Sequence, residues 1–162
     1  KCIGAGLRTA YVMVPEKRSA WAFASAVRSA AVIASPITLA LATQWIEDGT
    51  ADAILRAVRV ETEERQKLAH RILADQRFEG DPDSFNIWLS LPAAWTRSAF
   101  VGHMRSTGVG IVPSDAFTVS GIPPEAVRIC LGGPAPRSTI KRALECAAHA
   151  LEVMPATVTS FL

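Results

Sequence analysis

At 162 residues the chain can form one ordinary domain whose core needs neither disulfides nor a metal. Apolar residues make up 49% and charged residues 20%, which excludes a disordered chain. The net charge is +2, with Lys and Arg scattered among Asp and Glu, so no basic face for nucleic acid or a membrane surface is indicated.

Cys2, Cys130 and Cys146 are odd in number and form no CxxC pair, which fits a reducing, cytoplasmic setting. Lys1 leads into Gly-containing sequence rather than an apolar signal core, and the missing initiator Met suggests a piece of a longer protein. The uncharged run from Ser29 to Ile46 approaches the ~18 residues of a membrane span. Ser, Thr, Gln and Pro36 interrupt it, however, so it reads as buried helix.

In chain order, the apolar stretch Leu7 to Val14 before Pro15 predicts a strand. Glu16 to Ala34 is Ala-rich, with Trp21, Phe23, Val27 and Ile33, and predicts a closely packed helix. Ser35 and Pro36 restart a second helix as cap and first-turn residue, and Gly49 ends it. Thr50 opens a third helix expected to reach Ala74, with Ile54, Val58, Leu68 and Ile72 on one face. Its ETEERQK stretch reads as a solvated face, with Glu61–Arg65 and Glu63–Lys67 as i,i+4 pairs at exposed positions.

After Gly80–Asp81–Pro82 the period changes. Strands are expected at Asn86 to Leu91, Val109 to Val112 and Ala126 to Leu131, and helices at Thr96 to Thr107 and Pro136 to Val153. Pro155 to Leu162 reads as a tail. This half is an α+β layer, a small sheet covered by helices. The first predicted strand lacks a partner within the chain, since about 70 helical residues follow it.

Few residues suggest chemistry on their own. Lys1, Gly4, Gly6 and Arg8 place an amine and a guanidinium around a glycine-containing turn, a pattern that suits phosphate. A terminal lysine and a surface arginine would look the same. Arg128 alternates with Val127 and Ile129, so it either faces water or grips a carboxylate, which Arg does better than Lys. His70, His103 and His149 show no metal-ligand spacing, so no metal is expected. Cys130 and Cys146 read as small core residues, and the four Trp occupy core-like positions.

Taken together, several segments resemble fold-type I, pyridoxal-phosphate (PLP) dependent aminotransferases. KCIGAGLRTAYVMVP resembles the segment around the family's Schiff-base lysine, and SPITLALATQWIEDG the helix that follows its active site. DSFNIWLSLP, GVGIVPSDAF and AVRICLGG resemble, in order, the tryptophan strand, the Pro-x-x-x-Phe turn and the strand carrying the substrate-carboxylate arginine. Within that superfamily the chain is most similar to the effector domains of MocR-type regulators. These are GntR-family proteins that join an N-terminal winged helix-turn-helix to a PLP-binding domain.

The resemblance implies an α+β small domain of the PLP-dependent transferase fold, with long helices, a mostly antiparallel sheet and one preceding strand of the large domain. It implies that residues 1–34 end the large domain, 35–75 form interdomain helices, 76–154 form the C-terminal domain and 155–162 a tail. It implies that Lys1 carries PLP as an imine, that Arg8 and Gly6 hold the cofactor phosphate, and that Arg128 clamps an amino-acid carboxylate. A homodimer that senses PLP or an amino-acid aldimine, and meets DNA only through an N-terminal domain, follows from the same resemblance. The alternative is part of a free aminotransferase acting on an amino acid and a 2-oxo acid. A cofactor-free interaction module is a third reading.

The sequence departs from the family pattern where Asp83–Ser84 replaces a Gly pair, Asn86 a His, and Ala5 a Pro. The family's pyridine-nitrogen Asp, ring-stacking aromatic and phosphate-binding helix all precede its lysine. The segment alone is therefore expected to be catalytically inactive.

Overall fold

The computed structural model describes residues 3–31 and 33–153. Two compact units, Lys1–Val58 and Arg59–Leu162, make up the chain.

The first unit holds a 3-10 turn at Ala5–Leu7 and the helices α1 (Lys17–Ala31) and α2 (Pro36–Glu47). Pro36 sits in the first turn of α2, where its missing N–H costs nothing, and Ser35 is the cap residue without a side-chain capping bond. Gly49 follows with φ of 79°, a left-handed stop that glycine adopts without strain. The Asp48 carboxylate then accepts the Thr50 N–H at 2.9 Å, starting the next helix, and hydrogen bonding from the Thr50 side chain first, and from this N–H second, holds its pKa below the usual range.

Leu7 to Val14, expected as a strand, forms none: Leu7 ends the 3-10 turn, and residues 8–14 pair with no other backbone among the described residues. An extended segment becomes a strand only when another backbone pairs with it. Tyr11, Val12 and Met13 are exposed, and the segment is tied instead by Thr9, whose hydroxyl donates to Thr38 Oγ1 at 3.0 Å. Trp21, on α1, is also exposed rather than buried in a core.

The second unit takes in the end of α3 (Thr50–Ile72), then β1 (Phe78–Gly80), β2 (Asn86–Ser90), α4 (Arg97–Ser106), β3 (Val112–Pro113), β4 (Ala126–Cys130) and α5 (Arg137–Glu152). The strands form an antiparallel sheet in the order β1-β2-β4-β3. Alternation sends Ile87, Leu89, Val127 and Ile129 into one core with Leu73, just past α3, and with Phe100, Met104, Ile140 and Leu144 from the helices. Burying side chains of this size stabilises by roughly 1.5–3 kcal/mol each. Thr96 caps α4 by accepting the Ala99 N–H at 3.2 Å. The buried Trp95 donates its indole N–H to Ala150 O at 3.1 Å, satisfying one of the last carbonyls of α5.

Two further expectations need correction. The ETEERQK stretch is no uniformly solvated face, because Thr62, Arg65 and Gln66 are buried. The Glu61–Arg65 and Glu63–Lys67 pairs do form, but Arg65 also donates to the carbonyls of Leu131, Gly133 and Ala135. It thereby fastens the turn between β4 and α5 to α3. Cys130, expected in the core, is exposed at the end of β4, where alternation turns it away from the helices. Among the described residues no helix is long and apolar enough to cross a membrane.

Candidate functional site

With Val127 and Ile129 buried against the helices, the residue between them must project from the sheet's other face. That residue is Arg128. Register places Glu79, Trp88, Arg128 and Val112 opposite one another on β1, β2, β4 and β3, so the four side chains form one row on that face. Glu79, Asp81, Asn86, Trp88 and Arg128 line an open cavity of about 470 Å³.

The segment between β3 and β4 completes the surroundings of Arg128. Its 3-10 turn, Ser114–Phe117, is held by the fully buried Ser114, which donates to Pro124 O at 2.6 Å. Arg97 ties the same region together, donating to Asp115 at 3.1 Å and to Glu125 at 2.6 Å. Phe117 is thereby brought over Arg128, its ring centroid 4.6 Å from the guanidinium carbon. Trp88 meets the same ring edge-on at 5.9 Å.

Arg128 Nε is buried without a hydrogen-bond partner, and among the described residues Arg128 enters no ion pair. A guanidinium drawn partly from water and left uncompensated is costly unless an anion completes it. The forked donors of Arg match a carboxylate best. The orphaned donor therefore fits a carboxylate or another small anion.

The remaining predicted residues lie in the first unit. Lys1 is outside the described residues. Gly6 is in the 3-10 turn, and a Cβ added at Gly4 or Gly6 would meet nothing within 4 Å, so no protein packing demands glycine there. Arg8 is exposed and has φ of 51°, a left-handed conformation that costs a non-glycine residue roughly 1 kcal/mol. Such strain fits a functional turn. Gly6 and Arg8 are thus neighbours in one unit and Arg128 belongs to the other. Among the described residues no group of His, Cys, Asp or Glu is placed to hold a metal ion.

Sequence reasoning missed Phe117 and Ser114. The Pro-x-x-x-Phe spacing of VPSDAF was the available signal, but only the fold brings the ring to Arg128.

No family model matches the chain. Among solved structures, it superimposes on LysN, an α-aminoadipate aminotransferase from Thermus thermophilus complexed with N-(5'-phosphopyridoxyl)-L-leucine. The TM-score is 0.77 at 16% identity, over 91% of this chain and 39% of that one. The chain has the fold of part of an aminotransferase. An archaeal alanine:glyoxylate aminotransferase matches with TM-score 0.66 and 16% identity, over 77% of this chain and 32% of its own. A multiple substrate aminotransferase from Thermococcus profundus matches with TM-score 0.66 and 19% identity, over 78% and 32%.

The α+β arrangement, helices on a small antiparallel sheet, is that of the aminotransferase small domain. A curated relative, the uncharacterized HTH-type transcriptional regulator YdeF of Bacillus subtilis (strain 168), is 27% identical over 135 residues. Those residues are 83% of this chain and 29% of the regulator. The chain thus spans well under half the length of each of these proteins.

Proposed function

We propose that the chain is the C-terminal part of a PLP-binding, aminotransferase-like effector domain in a GntR/MocR-type transcriptional regulator, sensing PLP or an amino acid. The supporting observation is the combination of an aminotransferase fold with sequence identity to an HTH-type regulator over 83% of the chain. PLP, when bound, supplies a reactive aldehyde and an electron sink. In this reading Lys1 offers the amine that anchors the cofactor, and Gly6 and Arg8 hold its phosphate. Arg128 takes the ligand carboxylate with the donors that the fold leaves unpaired. Domain bounds at 34/35, 75/76 and 154/155, a homodimer, a cytoplasmic location and DNA contact through an N-terminal winged helix belong to the same proposal.

An absorbance scan of the full-length protein with PLP tests it. A near-visible band, lost in Lys1→Ala, accompanied by amino-acid-dependent DNA binding, is the expected result. A band without DNA binding, together with amino-group transfer to a 2-oxo acid, would establish the free-enzyme alternative instead.

A further inference from the structure

An arginine side chain in water has many rotamers and no reason to present one edge to a ligand. Here one ring removes that freedom. The Arg128 guanidinium carbon lies over the Phe117 ring, 4.6 Å from its centroid, while Arg128 Nε has no hydrogen-bond partner. The ring contact forms no ion pair, and among the described residues none engages Arg128, so its charge is left for a ligand. Phe117 is itself steadied by the Ser114–Pro124 and Arg97–Asp115 bonds and by the edge of Trp88. Phe117 as a residue remains 43% exposed, so packing of the core does not explain an aromatic at this position.

We infer that Phe117 is a positioning residue: it pre-orients Arg128 and so sets how strongly the site prefers amino acids over the corresponding amines. This rests on the reading that Arg128 takes a ligand carboxylate. Pre-orientation lowers the ordering cost at binding, and a ring over a partly desolvated guanidinium is worth roughly three- to ten-fold in affinity. The gain falls only on ligands that engage the guanidinium.

The test uses the full-length protein loaded with PLP. L-alanine is titrated against ethylamine, and L-phenylalanine against phenethylamine, following cofactor absorbance. The dissociation-constant ratio of amine to amino acid reads the carboxylate preference. Phe117→Leu should lower that ratio about three- to ten-fold with little change for the amines, and Phe117→Tyr should retain it. Independently of any ligand, the Arg128 Nε–H NMR signal, assigned by its loss in Arg128→Lys, should show a ring-current shift in the wild type. Phe117→Leu should abolish the shift.

If the wild type discriminates but Phe117→Leu leaves the ratio intact, or Leu and Tyr lower it equally, this inference fails alone. An unshifted wild-type signal also overturns it. A wild type that binds both series equally, or neither, overturns the carboxylate reading of Arg128 and this inference with it.

Discussion

The Glu61 carboxylate on α3 receives the Arg137 guanidinium on α5 at 2.6 Å, across 76 positions of sequence. The same carboxylate accepts Arg65 Nε at 2.7 Å. Bonding to Arg137 first, and to Arg65 second, lowers the Glu61 pKa from 4.5 to about 2. A carboxylate whose folded pKa is depressed stabilises the fold above its unfolded pKa and loses that stabilisation as pH falls through the folded one. Stability should therefore drop between about pH 4.5 and 2. Because Glu61 is 38% exposed and screened by solvent, its share is about 1 kcal/mol. Denaturant melts across that range should show a shallower acid limb in Glu61→Gln.

Arg65 carries a larger load. Its guanidinium donates to three carbonyls of the turn following β4, and the residue is only 7% exposed. Arg65→Ala removes the donors and leaves those carbonyls to find water, which should cost about 2–4 kcal/mol. A lowered urea midpoint with an unchanged slope is the expected signature. Arg65→Lys should rescue only part, since an ammonium cannot span carbonyls as a flat fork does.

Gly80 is required by close approach. A Cβ there would come within 2.7 Å of Gln66 Oε1 and 3.0 Å of Ile87 Cγ2. Gln66 is buried and committed to Ser84 O at 2.7 Å, so its amide cannot swing away freely. Gly80→Ala should destabilise by about 1–3 kcal/mol, measured by thermal unfolding. Pairing it with Gln66→Ala should recover part of that loss, because the clashing amide is then gone.

These residues show what the sequence could and could not reveal. The helices with clear apolar periods, α4 and α5, and the alternating strands β2 and β4 were legible because a local pattern specified each. The outward direction of Arg128 followed from the same alternation. β1 escaped notice because Phe78–Gly80 is three residues long and pairs only through β2. The burial of Arg65 was hidden because its acceptors lie 66 to 70 positions away. Local charge patterning cannot distinguish such a residue from a solvated one. The expected strand at residues 7–14 failed for the complementary reason, since an extended apolar segment specifies a strand only if another backbone pairs with it.

Arg128 gives the sharpest separation of stability from function. Its Nε is buried and unpaired, so the side chain adds an electrostatic cost that its contact with Phe117 offsets in part. Replacing an uncompensated, partly buried charge with an apolar chain of similar length is commonly neutral or stabilising. Arg128→Met should therefore leave the thermal midpoint unchanged or raise stability by about 1 kcal/mol. If Arg128 serves a ligand, the same variant should lose at least ten-fold in amino-acid affinity in the PLP-loaded full-length protein, because a desolvated carboxylate would face a thioether. Scanning and titration calorimetry on the wild type and the variant read the two effects separately. Marked destabilisation by Arg128→Met would instead make the arginine a structural element of the sheet.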